Sequence, residues 1–123
     1  MTLKTFVLAA AVLLVSALPA AAQSMCSPPI APAAVDGTKI THEQLLAALA
    51  DTQTFIKQTD DYQDCVNKEL NDAKAAALKD KKDLDPSLVP AHDAKIQASQ
   101  ALKEKVGAEF NAASKAWHNA HPG

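Results

Sequence analysis

Two cysteines are the most reactive side chains in this sequence. Cys26 and Cys65 are its only thiols, and they lack the C-x-x-C spacing that redox and zinc sites use. Two cysteines in a chain of this size are typically paired where the chain is exported, which the first residues of this sequence predict below. Their bond would close a loop of about 40 residues and add about 4 kcal/mol of stability in the chain-entropy description. We therefore predict a disulfide between them, with a cysteine metal or redox site as the alternative.

Four histidines are the next candidates, because neutral imidazole binds zinc and copper. His118 and His121 have the i, i+3 spacing that places two side chains on one helix face. His42 or His92 would have to join them from elsewhere in the chain. Two ligands next to the terminal Pro122 make only a weak site. We predict no bound metal or cofactor, and whether His118 and His121 bind a metal is left open.

Other residue types for catalysis occur without the arrangement that catalysis needs. No G-x-S-x-G motif is present, and Ser27 and Ser87 lie beside prolines where loops are expected. The acidic residues Asp60, Asp61 and Asp64 lack the alternating acids and central glycine of a calcium loop. We interpret them as a solvated helix face. The sequence thus predicts no catalytic site, and a protein that is not an enzyme.

The beginning of the chain has the pattern of a secretory signal peptide. Lys4 gives a positive start, residues 6–15 are apolar, and Ala20 and Ala22 are small residues at positions −3 and −1. We predict cleavage between Ala22 and Gln23. A membrane anchor is the alternative, but a spanning helix needs about 20 apolar residues. The mature chain is therefore expected to be periplasmic or secreted, with no membrane span.

Composition limits the partners of the mature chain. Without residues 1–22 it has 101 residues, enough for one small domain, with 11 Lys against 14 Asp and Glu. We predict no nucleic-acid partner, because such a protein needs clustered cations to displace counterions from phosphates. Four aromatic residues and many alanines remain in this part. A small domain of this composition buries little apolar area and often needs a staple or a partner.

A proline-rich arm, residues 23–40, precedes the predicted helices. Thr41 then begins a helix, since Thr41 and Gln44 have the T-x-x-Q spacing of a capping box. Apolar and small residues recur at intervals of three and four up to about Lys82, with the near-heptad spacing of a coiled coil. Thr59-Asp60-Asp61 are poor helix formers that could end one helix and begin another. We predict one continuous helix, with a three-helix arrangement as the alternative.

A second amphipathic helix is predicted from about Pro90 to His118, after a turn marked by Pro86. Two such helices joined by a short turn make a long antiparallel helical hairpin over residues 41–121. The predicted fold class is therefore all-α, with the arm tied to the hairpin by the disulfide.

Three further expectations concern the packing of the hairpin, and the first of them depends on a turn near residue 86. Phe110 and Trp117 would pack toward the Phe55–Tyr62 region, and Gly107 would permit close approach of the neighbouring helix. An isolated hairpin also leaves apolar surface exposed. We therefore expect a protein partner or a homodimer that forms through the apolar helix faces.

Two families resemble parts of the chain. Val35-Asp36-Gly37, Phe55-Ile56 and Asp61-Tyr62-Gln63-x-Cys65 resemble small exported helical proteins of α-proteobacteria, which implies an exported location. Ile40-Thr41-His42-Glu43-Gln44 resembles the L-T-x-x-Q element of periplasmic chaperones and metal-stress proteins of the Spy and CpxP type, with Ile in place of Leu. That resemblance implies an all-helical protein that binds clients on a cradle-shaped dimer. A capping box explains the same five residues, so no residue roles carry over.

The sequence as a whole predicts a non-enzymatic exported protein that acts through protein–protein contacts. The alternative function is that of a periplasmic chaperone or metal-stress-responsive protein of the Spy and CpxP type.

Overall fold

The structure is a computed structural model that describes residues 25–123, so the predicted signal peptide and its cleavage site at Ala22 and Gln23 lie outside the described residues. Two helices pack against each other, α1 (His42–Lys79) and α2 (Leu88–Ala120). No strand occurs between residues 25 and 123, and the predicted helical hairpin is confirmed. In this part of the chain, neither helix is apolar enough over a sufficient length to cross a membrane.

The first helix is continuous through the segment where a break was the alternative. The Thr59 hydroxyl donates to the Phe55 carbonyl at 2.8 Å, and Thr59 is only 1% exposed. Asp60 forms an ion pair with Lys103 of α2, and Asp61 pairs with a lysine one turn earlier. Each poor helix former therefore has a partner in the helical conformation, which offsets its weak intrinsic propensity. The continuous helix is confirmed, and the three-helix arrangement does not occur.

Both ends of α1 are closed by local hydrogen bonds. The predicted capping box is present, because Gln44 N–H donates to Thr41 Oγ1 at 3.2 Å and Thr41 N–H donates to Gln44 Oε1 at 2.9 Å. At the other end, Lys81 has a left-handed backbone with φ of 51°, and Lys82 N–H donates to the Ala77 carbonyl at 2.9 Å. This is a Schellman motif with Lys where glycine is usual. It ends α1 slightly earlier than the predicted Lys82.

The second helix begins two residues before the predicted Pro90. Pro90 is the third residue of α2, where its missing N–H has no intrahelical partner to lose. The turn before it is shaped by Asp85, whose Oδ1 accepts from Ser87 N–H at 2.9 Å and from the Ser87 hydroxyl at 2.7 Å. These two hydrogen bonds lower the pKa of the Asp85 carboxyl below its usual value.

Polar pairs between the helices show the register of the hairpin. The Gln63 amide donates to Ser99 Oγ at 3.1 Å, and His92 Nε2 lies 2.8 Å from Asn67 Oδ1. Gln63 interrupts the apolar stripe of α1 in the sequence, and this contact accounts for it. A polar side chain at that position is satisfied across the interface instead of in solvent.

Phe110 and Trp117 lie nearer the start of α1 than predicted. Trp117 donates through Nε1 to the Ile40 carbonyl at 3.1 Å, and Phe110 lines a cavity together with Thr52. The predicted packing of both residues toward Phe55–Tyr62 is therefore wrong. Because α1 ends early, the hairpin turns before residue 86, and every α2 residue meets an earlier part of α1.

The arm, of which the structure describes residues 25–40, adds a third layer to the two helices. It begins beside Cys65 and runs back along α1 to the helix start at Thr41. Among residues 25–123, the buried side chains form one stripe on α1, a shorter stripe on α2 and a single position in the arm. They are Cys26, Leu45, Thr52, Phe55, Thr59, Tyr62, Val66, Leu70, Ser99, Val106 and Ala113.

Candidate functional site

A covalent bond and a carboxylate hold the first residues of the arm on α1. The predicted disulfide between Cys26 and Cys65 is present, with the two Cα atoms 5.8 Å apart. Glu69, one turn farther along α1, accepts from Met25 N–H at 2.6 Å and from Cys26 N–H at 3.3 Å through the same oxygen. Its other oxygen lies 3.7 Å from Lys95 Nζ of α2. Sequence reasoning missed Glu69, because an acid on the flank of a helix stripe resembles any solvated acid.

The last residues of the arm lie against the backbone of α2. Gly37 is buried, and a Cβ atom at this position would lie 1.9 Å from the Ala113 carbonyl oxygen and 3.0 Å from the Trp117 backbone nitrogen. Gly37 has no positive φ, so glycine is required here for space alone. The Asp36-Gly37 pair is a turn signal in the sequence, but the contact with α2 is not readable from it.

The predicted close approach at Gly107 is wrong. Apart from its two chain neighbours and the nearby backbone of α2 itself, no heavy atom of the described residues lies within 4 Å of a Cβ placed on Gly107. The glycine that permits close approach is the one in the arm, and it brings the arm rather than a helix into contact with α2.

An open groove of about 390 Å³ lies between the first part of the arm and α2. Its floor is the buried stripe of α1, and its two walls come from arm prolines and from an exposed face of α2. Because these groups are almost all apolar, the groove offers a surface for apolar side chains and little for polar ligands. We call it the arm groove, and its main residues are Pro28, Pro29, Phe55, Thr59, Tyr62, Ala98 and Leu102.

The charged side chains next to the arm groove are paired within the molecule. Lys95, which lines the groove, faces Glu69, and Lys103 pairs with Asp60 across the two helices. Ser99, also in the lining, donates to the Ile96 carbonyl at 2.9 Å. The polar groups in the lining are thus few, and the hydroxyl of Ser99 and the ammonium of Lys95 are engaged within the molecule.

Three of the four histidines meet around Trp117. Its ring lies 5.1 Å from the ring of His42, 5.2 Å from His118 and 4.5 Å from His121, which is stacked on it. His118 Nδ1 lies 2.7 Å from the Ser114 carbonyl oxygen, and His121 Nδ1 lies 2.9 Å from the carbonyl of Trp117. Both Nδ1 atoms therefore donate within the helix.

Within residues 25–123, no group of three or more His, Cys, Asp or Glu side chains is placed to share a metal ion. His92 lies apart from the others, between Asp93 and Asn67. The arrangement packs the chain end against the start of α1 through ring contacts.

Asp36 gives the last turn of the arm its shape. Its Oδ1 accepts from the Thr38 hydroxyl at 2.7 Å and from Thr38 N–H at 3.0 Å, and Lys39 Nζ lies 3.0 Å from its Oδ2. The Thr38 hydroxyl contributes most, followed by Lys39, and together they lower the pKa of the Asp36 carboxyl to about 2. This turn directs Gly37 into its contact with α2.

Comparison with family models, curated proteins and solved structures finds no match for this chain. Among the described residues, the arm groove is the surface best suited to binding apolar groups.

Proposed function

We propose that this protein is a non-enzymatic exported protein that binds another protein through the arm groove. The single observation that carries the proposal is the groove itself, an apolar concavity of about 390 Å³ between the arm and α2. Burying apolar surface contributes about 25 cal/mol per Å². An apolar side chain that leaves water for this groove would therefore stabilise a complex.

Exposed apolar side chains beside the groove support the same role. Leu102, in the groove wall, is 38% exposed, and Ile30, directly after the two groove prolines, is 93% exposed. Proline and the disulfide hold this part of the arm in one conformation, so little ordering entropy is lost when a partner binds. A preformed apolar surface with fixed edges is typical of protein–protein interfaces.

An exported location fits both the sequence and the cysteine chemistry. The predicted signal peptide directs the chain to the periplasm or beyond, and a disulfide persists in such oxidising compartments. The partner in this proposal is therefore an exported protein or the exported part of a membrane protein.

A capture experiment with matched variants tests the proposal. The bait is mature Gln23–Gly123 with its disulfide intact, incubated with periplasmic extract. We expect one stoichiometric partner on the wild type, and loss of that partner with Leu102→Glu, which places a carboxylate in the groove wall. Leu78→Glu is the control, since Leu78 is 80% exposed and lies near the hairpin turn.

Two outcomes would contradict the proposal in different ways. Equal capture by Leu102→Glu and wild type would show that the partner binds elsewhere. Weak capture of many unfolded proteins would instead favour the chaperone function of the Spy and CpxP type. A light-scattering measurement of the mature protein would show whether a second copy takes the place of the partner.

A further inference from the structure

A second cavity lies farther along the arm, toward the open end of the hairpin. It encloses about 370 Å³ and is walled by the arm and by both helices. Apolar side chains form most of its surface, and they include Val35 and Ile40 of the arm, Ala48 of α1 and Phe110 of α2. This volume accommodates a long aliphatic side chain together with part of its backbone.

Two carboxylates are the charged groups that line this cavity. Asp51 comes from α1 and Glu109 from α2, so they approach it from different sides. Asp51 is exposed and forms no ion pair within residues 25–123. The Glu109 side chain is 38% exposed, and its neighbour Lys105 lies 3.7 Å away with 67% of its own side chain exposed. An exposed pair at that distance neutralises little charge.

We propose that this pocket, whose lining includes the two acidic residues, receives a lysine or arginine side chain of the partner protein. The inference rests on the proposed function, and it adds a second contact to the one in the arm groove. Lysine and arginine bury their aliphatic stems against apolar surface while the charged head stays near water. The pocket matches that division, because its lining combines apolar side chains with two acidic residues, Asp51 and Glu109, that keep contact with water. Charge complementarity of this kind fixes the register of a partner more than it adds affinity.

The pocket and the arm groove are consecutive stretches along α2. Leu102 lines the groove and Glu109 lines the pocket, and seven residues of helix separate two side chains by about 10 Å. The partner segment should therefore carry an apolar residue and a basic residue about 10 Å apart. That spacing corresponds to about three residues in an extended strand or seven in a helix.

Two small probes, one cationic and one neutral, test the pocket without any partner protein. The probes are n-butylguanidinium and its neutral isostere n-butylurea, titrated into ¹⁵N-labelled mature protein while amide shifts of Ala48 and Val106 are followed. We expect the cation to bind about tenfold more tightly than the urea, a ratio that corresponds to about 1.4 kcal/mol. We also expect the preference to shrink in high salt, because exposed charges are screened.

Matched variants show whether the two carboxylates cause the preference. Asp51→Asn with Glu109→Gln should bind both probes equally. Asp80→Asn with Asp83→Asn changes the net charge by the same amount at the hairpin turn and should keep the tenfold preference. Equal binding of the two probes by the wild type, or an unchanged preference in the Asp51 and Glu109 variant, would overturn the assignment.

The partner experiment separates this inference from the proposed function. The Asp51 and Glu109 variant used as bait should capture the partner more weakly than the Asp80 and Asp83 variant does. Equal capture by the two baits, with the probe preference intact, would show that the pocket takes a free small cation instead of a protein side chain. The proposed function would then still stand on the Leu102→Glu result.

Discussion

The two halves of the hairpin are built from similar helices but differ in how many layers they have. The arm covers α1 from Thr41 to Cys65, where Phe55 is 2% exposed. The first arm residues also contact Glu69, and beyond Leu70 α1 and α2 pack against each other alone. No residue from 71 to 98 is fully buried, and Leu78 is 80% exposed. We call these the covered half and the bare half.

The difference shows what the arm contributes to the fold. Alanine-rich helices have shallow side chains, so two of them enclose little apolar surface. In the covered half, the arm supplies the missing layer and closes over the aromatic residues. The bare half lacks that layer and depends on helix propensity, local caps and short polar links such as that between Asn67 and His92. Both candidate sites lie in the covered half, because only there do three segments meet.

Removal of the disulfide should have the largest effect, since it frees the layer that distinguishes the two halves. Cys26→Ser with Cys65→Ser should lower the free energy of unfolding by about 4 kcal/mol, because the unfolded chain regains the freedom of the closed loop. Urea unfolding followed by the fluorescence of Trp117 measures it. Ser27→Ala, an exposed arm change, should stay within about 0.5 kcal/mol of the wild type. If the cysteine variant loses less than about 1 kcal/mol of the free energy of unfolding, other contacts are enough to hold the arm on the hairpin.

Truncation of one large side chain in each half compares their cores directly. Phe55→Ala in the covered half should lose about 3 kcal/mol, because it removes a buried ring and leaves a cavity. Leu78→Ala in the bare half should change stability by less than about 0.5 kcal/mol, since the side chain is already in water. The same urea titration measures both. Similar losses for the two variants would mean that the halves are equally packed.

Two glycines offer a sharper test of how the arm docks. Gly37→Ala should destabilise the protein by about 2 kcal/mol, because the new methyl group overlaps the Ala113 carbonyl and the arm must move away. A red shift of the Trp117 fluorescence emission should accompany this loss of stability, since the indole N–H loses its hydrogen bond to the Ile40 carbonyl. Gly107→Ala, the matched control inside α2, meets open space and should stabilise the helix by about 0.5–1 kcal/mol. Destabilisation by both would contradict a specific contact at Gly37.

The smallest expected effect is on the pH dependence of stability. It is tested at one turn in each half, at Asp36 in the covered half and at Asp85 in the bare half. The folded pKa of Asp36 is about 2, below its ordinary value of 3.8. The carboxylate therefore stabilises the fold at pH values above about 3.8, and this contribution is lost as the pH falls toward about 2. Asp36→Asn should make stability less dependent on pH in that window, as measured by thermal unfolding from pH 5 to about 2. Asp85→Asn in the bare half should act in the same direction, because the pKa of Asp85 is also lowered. An unchanged acid profile in the Asp36 variant would contradict this account.

Sequence reasoning succeeded where a feature depends on neighbours in the chain. Thr41 and Gln44 lie within one turn of each other, so their capping box is determined locally. The disulfide was equally easy to predict, because the chain has only two thiols to pair. The continuity of α1 was harder to predict, since the segment around Asp60 is helical partly through its pairing with Lys103 of the other helix.

Apart from shifts of two or three residues at the helix ends, the errors concern contacts between segments that are far apart in the chain. Gly107 was expected to sit at a close approach, yet Gly37 holds that position. Phe110 and Trp117 were expected beside Phe55–Tyr62, but the early end of α1 moved them. A shift of the turn by a few residues moves every contact across a hairpin, and an apolar stripe of small residues does not select one register.

By itself, therefore, the sequence determined the two helices, the capping box at Thr41 and the one possible disulfide, because each depends on a few residues or on a count. The tertiary structure decided the path of the arm, the register of the hairpin, the gathering of three histidines around Trp117 and the two cavities. These features arise where the arm, α1 and α2 meet. Their geometry depends on the packing of all three segments at once, which no local pattern encodes.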